Sequence, residues 1–394
     1  MRGATLHQTC RRQPCRRSCR GLHSPRPVAP EAAMLADRVL SFSRRLALLG
    51  LLSLGLVASG AAWAGSNGTG SGALPTVSTK DYDFYLSGSV PALQPPRPAT
   101  TTLVLMGGGT DVDDAFRAMI AKARGGSANK VDIVILRTSG SDGYNAYLMA
   151  MDGVGAVGSI VIKSRAGASA QPVLDLVNRA DVLFIAGGDQ STYVAEWAGT
   201  PLEGAMKAAV ANHVPFGGTS AGLAVLGQFD YSALYQSVTS TDAMANPYNR
   251  NVTLDRSLLN SLPYMAGVIT DSHLITRDRM GRLVTFMGRL VADGWASNAA
   301  VRGIGLNEQT AVVVDNGIGT VVGNPDGSGG RTGQAYFLQS PVAPITVKAK
   351  TPLTYRGLQV EKRVAGGSYD LVNWPTVAPY SISVESGVLT SNPY

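Results

Sequence analysis

The sequence predicts an α/β fold, a mostly parallel sheet with helices on both faces and a small β-rich part at its C-terminal end. Between residues 101 and 322, short apolar runs rich in β-branched residues, such as 131–136 and 182–185, alternate with helical patterns such as 201–212. Strands without polar alternation are buried on both faces, which a parallel sheet between two helix layers requires. After Gly323, the turn-rich stretch Asn324-Pro325-Asp326-Gly327-Ser328-Gly329-Gly330 leads into short strand-like segments, of which 336–339 and 345–349 are the clearest. There is no internal repeat and no coiled coil.

The elements follow in chain order. Residues 1–64 read as a leader. Arg44 and Arg45 precede an apolar run over 46–62, which ends in Ala62-Trp63-Ala64 before Gly65. This is the charged, apolar, small-residue pattern of a secretory signal peptide, with cleavage expected after Ala64, and it is too short for a membrane span. The expected location is therefore outside the cell or in the periplasm, with no membrane attachment after cleavage. The Arg-rich part upstream of Met34 is unusual for a leader and points to Met34 as the true start. A zinc site built on Cys10, Cys15 and Cys19 would need a second ligand cluster, and none is evident. Residues 65–99, rich in Gly, Ser and Pro, read as a linker with an N-terminal extension. Residues 100–322 read as the catalytic α/β domain, and 323–394 as a β-rich extension.

The leader holds ten Arg against Glu31 and Asp37, so the formal net charge of +7 becomes about −1 without it. That balance removes the argument for a nucleic-acid partner. All three cysteines lie in the leader, so the mature chain has neither disulfides nor a thiol nucleophile. Two remaining histidines and no cysteine make no metal site evident, and no cofactor is expected.

Gly218-Thr219-Ser220-Ala221-Gly222 directly follows the apolar Val214-Pro215-Phe216. A serine between small residues at a strand-to-helix turn is a nucleophile elbow, with an exposed hydroxyl and backbone N–H groups nearby. The alternative is an ordinary Gly-rich turn. A serine nucleophile needs a base. Of the four histidines, His7 and His23 lie in the leader and His213 lies at the far end of the strand from Ser220, which leaves His273. His273 stands in Asp271-Ser272-His273-Leu274-Ile275-Thr276-Arg277-Asp278-Arg279-Met280-Gly281-Arg282, after an apolar stretch over 265–269 that reads as another strand. Leu283, Phe286, Met287, Leu290 and Val291 recur at helical intervals, so a helix starts near Arg279. Arg277, Arg279 and Arg282 gather at its N-terminus, where they oppose the helix dipole. Such a cost points to a use, such as binding a carboxylate.

Together, Leu183-Phe184-Ile185-Ala186-Gly187-Gly188-Asp189-Gln190, the Ser220 elbow, the Asp271 to Leu283 segment and a first strand ending in Met106-Gly107-Gly108-Gly109 resemble the cyanophycinases, serine peptidases of the dipeptidase E (S51) group. The resemblance implies a fold like that of class I glutamine amidotransferases (flavodoxin-like), with Ser in place of Cys. It implies that Ser220 attacks, that His273 takes its proton, and that the N–H of Ala221 with one from the Gly108-Gly109 turn forms the oxyanion hole. Asp189, Gln190, Asp271, Ser272, Arg277, Arg279 and Arg282 fall on substrate-pocket positions, with Ser272 replacing a glutamine of some members. Glu308, in Gly305-Leu306-Asn307-Glu308-Gln309-Thr310-Ala311-Val312, resembles the acid that orients the histidine, and Asp242 and Asp255 are its rivals.

The implied activity is hydrolysis of cyanophycin, an aspartate polymer carrying arginine on each β-carboxyl, to β-Asp-Arg dipeptides through an acyl-enzyme on Ser220. The family also suggests a homodimer. A secreted or periplasmic peptidase acting on short aspartyl or isoaspartyl peptides is the nearest alternative, and a non-catalytic binding protein of the same fold is the other. An α/β-hydrolase esterase fits less well, because its histidine comes late in the chain and none follows His273 here.

Overall fold

A computed structural model describes residues 74–394 apart from Ser257. The expected signal peptide, the Met34 start and the three cysteines lie outside the described residues.

Two sheets form the framework. The first contains β1 (Val77–Ser78), β2 (Tyr82–Gly88), β3 (Thr102–Met106), β4 (Val131–Arg137), β5 (Val154–Ile162), β6 (Val182–Ile185) and β7 (Phe216–Thr219). The second begins with β8 (Phe229–Tyr231), β9 (Leu254–Arg256), β10 (Val268–Asp271) and β11 (Arg302–Leu306). The chain then returns to the first sheet with β12 (Thr310–Asp315) and β13 (Ile318–Gly323), and to the second with β14 (Gln334–Gln339), β15 (Thr346–Lys348) and β16 (Thr351–Val364). Finally β17 (Ser368–Asp370) joins the first sheet, while β18 (Tyr380–Glu385) and β19 (Val388–Leu389) join the second. The first sheet runs β1-β2-β5-β4-β6-β7-β3-β12-β13-β17. Its centre, from β5 to β3, is parallel.

Burial explains the predicted pattern. Every residue of β3 and β6 is buried, and every residue of β4 but the last. Alternate side chains serve opposite layers. Val104, Met106, Ile133 and Ile135 pack with Phe116 and Met119 of α1 (Asp113–Arg124) and Leu148 of α2 (Asn145–Met149). Leu103, Leu105, Val134 and Leu136 share the opposite core with Val173 and Val177 of α3 (Gln171–Arg179), Trp197 of α4 (Gln190–Trp197) and Met206 of α5 (Pro201–Ala211). Helix α1 buries Ala115, Phe116, Met119, Ile120 and Ala123 on one stripe. It stops at Gly125, whose φ of 55° lets its N–H reach the carbonyls of Ala121 and Lys122.

In the second sheet, β8, β10 and β11 are parallel and β14, β16 and β18 continue as an antiparallel meander. Three further α-helices among the described residues are α6 (Ala221–Ala224), α7 (Ser240–Ala245) and α8 (Met280–Ala292). Helix α8 buries Leu283, Phe286, Met287 and Leu290 in the core of this second sheet. Among the described residues no helix is long and apolar enough to cross a membrane.

Strand pairing crosses both expected boundaries, at 99 and at 322. Part of the expected linker forms β1 and β2, with β2 antiparallel to β5 along its whole length. Most of the expected C-terminal extension continues the second sheet, where β14 pairs directly with β11, while β17 joins the first sheet through β13. The strand expected over 265–269 lies at Val268–Asp271. The 14-residue β16 was not legible, because Gly357 at φ 68° and a register shift between Tyr355 and Leu358 break its alternation midway.

Phe184, fully buried on β6 with its ring 4.7 Å from that of Phe116, ties the sheet to α1. Phe184→Ala should lower stability by about 3–5 kcal/mol in urea unfolding. A loss under about 1 kcal/mol would mean that this layer is not load-sharing.

Candidate active site

Strand β7 ends in the elbow. Ser220 has φ 54° and ψ −113°, a conformation costing on the order of 1–3 kcal/mol, and it forms the N-cap of α6. The glycines around it are dictated by contact. A Cβ on Gly222 would lie 2.2 Å from the Ile185 carbonyl oxygen, and one on Gly218 would lie 2.6 Å from that of Gly222. The backbone therefore doubles back at a distance that only hydrogen atoms fill. The Ser220 N–H donates to the Met106 carbonyl at 3.1 Å, and Ser220 Oγ lies 2.8 Å from His273 Nε2.

His273 follows β10 by two residues and is 2 % exposed. Its Nδ1 lies 2.5 Å from Glu308 Oε1. A carboxylate only accepts, so the ring proton sits on Nδ1 and the Nε2 lone pair faces the serine hydroxyl. Burial, the largest influence, lowers the imidazole pKa to about 4. The hydrogen bond to Glu308 opposes the shift, while the cations Arg277 and Arg279 add to it. The ring is therefore neutral at neutral pH, the state in which it can accept the serine proton. Among the three carboxylates left open by the sequence, Glu308 is the one in contact with His273. Asp242 instead accepts from Thr239 Oγ1 at 2.8 Å at the start of α7, and Asp255 lies on β9. His213, at the other end of β7, pairs through Nδ1 with Thr101 Oγ1 at 2.8 Å.

The turn after β3 passes against the imidazole. Gly108 has φ 95°, and a Cβ there would lie 2.5 Å from His273 Cε1 and Nε2. Ala221, the first residue of α6, is buried beside the elbow. The expected oxyanion donors thus lie on two segments, one bearing on the base and the other following the nucleophile.

A cavity of about 430 Å³ opens at Ser220 and His273. Asp189, exposed at its edge, caps α4 by accepting from Ser191 N at 2.9 Å. Gln190 Nε2 donates to the Tyr231 carbonyl at 3.3 Å. Two of the expected substrate contacts face each other instead. Arg282 is 2 % exposed and donates from Nε and Nη2 to both oxygens of Asp271, at 2.7 and 2.6 Å. Its Nη1 donates to Ser237 Oγ at 3.0 Å and to the Val238 carbonyl at 3.2 Å, and its guanidinium lies 4.9 Å from the centre of the Tyr231 ring. A guanidinium removed from water needs a carboxylate, and Asp271 supplies one bidentately while both residues line the cavity.

The arginines that keep open capacity are Arg277, which is exposed, and Arg279. Arg279 Nη1 donates to the Ser272 carbonyl at 2.9 Å and lies 3.7 Å from Asp271 Oδ1. Burial, followed by Arg282, pushes its pKa down to about 9, so it remains charged at neutral pH but lacks full compensation. An anionic ligand would supply it.

Asn307 was not singled out from the sequence. Its Oδ1 accepts from Ile275 N and Thr276 N at 3.2 Å and from Thr276 Oγ1 at 3.1 Å, so it holds the loop between His273 and Arg277. Its neighbour Glu308 was the signal, but the 31-residue separation hid the contact. Among the described residues no group of three His, Cys, Asp or Glu is placed to hold a metal ion.

Two outcomes test this geometry. Phosphonylation of Ser220 by a fluorophosphonate needs neutral His273, so its rate should rise with pH along a limb centred well below the ordinary imidazole value of about 6.5. A limb at or above that value contradicts the buried, neutral imidazole. Asp271→Asn leaves the buried Arg282 charge without its partner and should cost about 3–5 kcal/mol in chemical denaturation. A smaller loss means that water reaches the guanidinium.

Residues 160–322 match the model of peptidase family S51. Two curated relatives, the cyanophycinases of Synechococcus elongatus and of Thermosynechococcus vestitus, are each 28% identical over 164 residues. That stretch covers 41% of this chain and 45% of either relative, so the match spans under half their length. Among solved structures, a peptidase from an acI-B1 Actinobacterium is similar with a TM-score of 0.44 and 14% identity, over 70% of this chain and 98% of that one. The segment that carries the elbow, the histidine loop, the arginines and Glu308 thus coincides with the residues that match the S51 model.

Proposed function

We propose that this protein is a secreted serine-type peptidase that hydrolyses cyanophycin to β-Asp-Arg dipeptides. The observation that carries the reading is the hydrogen-bonded series from Ser220 Oγ through His273 to Glu308, opening on a cavity beside Arg277 and Arg279. The curated relatives of the matched segment are cyanophycinases, which supports the choice of polymer.

In this mechanism Ser220 Oγ attacks the backbone carbonyl as its proton passes to His273 Nε2. Glu308 stabilises the imidazolium so formed. The N–H of Ala221 and one from the Gly108-Gly109 turn receive the developing oxyanion. His273 returns the proton to the leaving amine, and water then releases the acyl group from Ser220 by the same steps. Each polymer unit carries a free carboxylate on its arginine arm. Arg279, partly buried and undercompensated, is the first ligand for it, and exposed Arg277 is the second. Asp271 is occupied by Arg282, so the exposed carboxylate of Asp189 faces the substrate guanidinium. Secretion after cleavage at Ala64 fits an insoluble polymer, which must be cut before uptake, and the working form is a homodimer.

The test is to incubate the chain from Gly65 with insoluble cyanophycin and follow soluble dipeptide. Wild type should clear the polymer, and Ser220→Ala should fall by about 10⁴-fold or more. No clearing, with hydrolysis of short β-aspartyl peptides, would replace the polymer by a short-peptide substrate. Arg279→Ala removes a charged hydrogen bond to substrate and should lower kcat/KM by about 10- to 100-fold. An unchanged value would reject the carboxylate assignment.

A further inference from the structure

We propose that Tyr394 is a positioning residue whose hydroxyl braces the loop bearing Arg277 and Arg279, so that the strands after Gly323 set the affinity of the site for its substrate. This rests on the reading of those arginines as carboxylate ligands.

Tyr394 reaches across more than a hundred residues to three points of one loop. Its hydroxyl accepts from the Met280 N–H at 3.1 Å, where α8 begins. It lies 2.9 Å from Asp278 Oδ1 and 3.1 Å from the Leu274 carbonyl, either of which can take its single proton. The same Leu274 carbonyl accepts from Arg279 N at 2.8 Å, so the phenol and the Arg279 backbone meet on one acceptor. Asp278, between the two arginines, has φ 47°, a left-handed conformation that its surroundings must maintain.

Tyr394 is itself anchored. Its ring meets that of Tyr336 on β14 edge-on at 6.1 Å, its N–H donates to Asn392 Oδ1 at 3.0 Å, and Tyr380 Oη on β18 donates to the Pro393 carbonyl at 2.5 Å. The antiparallel meander thus presents one hydroxyl to the loop. His273 has separate supports: its N–H donates to Gly107, Leu274 N donates to Leu306, and its ring meets Glu308. Loss of the phenol hydroxyl therefore falls on the arginine limb and leaves the base in place.

The test is Tyr394→Phe, with Ser220 labelling by a fluorophosphonate as readout and soluble β-Asp-Arg dipeptide as competitor. The labelling rate should stay within about twofold of wild type, while the half-protecting dipeptide concentration rises about tenfold, as loss of a hydrogen bond to a charged group predicts. Asp278→Asn, which tolerates positive φ and keeps an acceptor without the charge, should give a smaller rise in the same direction. Unchanged protection in Tyr394→Phe, or labelling that falls as far as protection, overturns the proposal. Hydrogen exchange separates its failure from that of the substrate reading. If the dipeptide does not protect wild type at all, the substrate reading fails. Faster exchange over 274–280 in Tyr394→Phe then upholds the brace, and unchanged exchange rejects it.

Discussion

The carbonyl oxygens of Met106, Gly107 and Gly108 accept in turn from the N–H groups of Ser220 at 3.1 Å, His273 at 2.8 Å and Gln309 at 2.9 Å. Three consecutive peptide units at the end of β3 thereby set the spacing of three segments that are far apart in sequence. The Gly107 N–H adds a fourth bond, to Thr310 at 2.8 Å. A backbone carrying this many neighbours has no room for side chains. A Cβ on Gly107 would lie 1.9 Å from the Asn307 carbonyl oxygen, and one on Gly108 would enter the imidazole. The run of glycines after β3 is thus the condition for Ser220, His273 and Glu308 to meet.

That meeting point is also where the two sheets exchange chain. Strand β11 belongs to the second sheet and β12 to the first, and only Asn307, Glu308 and Gln309 lie between them. The crossing is short and hydrogen-bonded at both ends, so Glu308 has little freedom and its carboxylate is delivered to Nδ1 by backbone geometry. Asn307, one residue earlier, fastens the loop that continues from His273. Serine comes from one sheet, histidine from the other, and the acid from the bridge between them. Such a site is as rigid as the packing of its framework, which suits chemistry that depends on preorganised hydrogen bonds.

Charge in the cavity is divided by burial. Arg282 is sealed between aromatic rings and saturated by Asp271, so it holds the wall together. Arg279 and Arg277 stand further out with fewer partners. Both lower the proton affinity of His273, which keeps the base neutral over a wider pH range. One cluster of like charges in sequence therefore resolves into a structural residue and two that lower the proton affinity of His273.

Much of the site was legible because its signals are local or follow by exclusion. The Gly-Thr-Ser-Ala-Gly elbow depends on neighbours within four residues, and His273 followed from a chain with few histidines. The parallel core was legible because β3, β4 and β6 are buried on both faces and carry unbroken apolar runs. Sequence alone could not separate Glu308 from Asp242 and Asp255, since contact with the ring is decided by where the β11–β12 crossing lands. Nor could it tell which arginine faces solvent, because Arg277, Arg279 and Arg282 share a charge and differ only in the shell around them. The meander hid in the same way: β16 changes phase at Gly357, and its pairing with β14 is long-range. What the sequence by itself determined was the strained elbow at Ser220, the choice of His273 as its candidate partner and the parallel core, whose physics is short-ranged. Tertiary structure alone decided which carboxylate meets His273, which arginine pairs with Asp271 and the reach of Tyr394 to the loop, because each is a contact between segments that only the two joined sheets bring together.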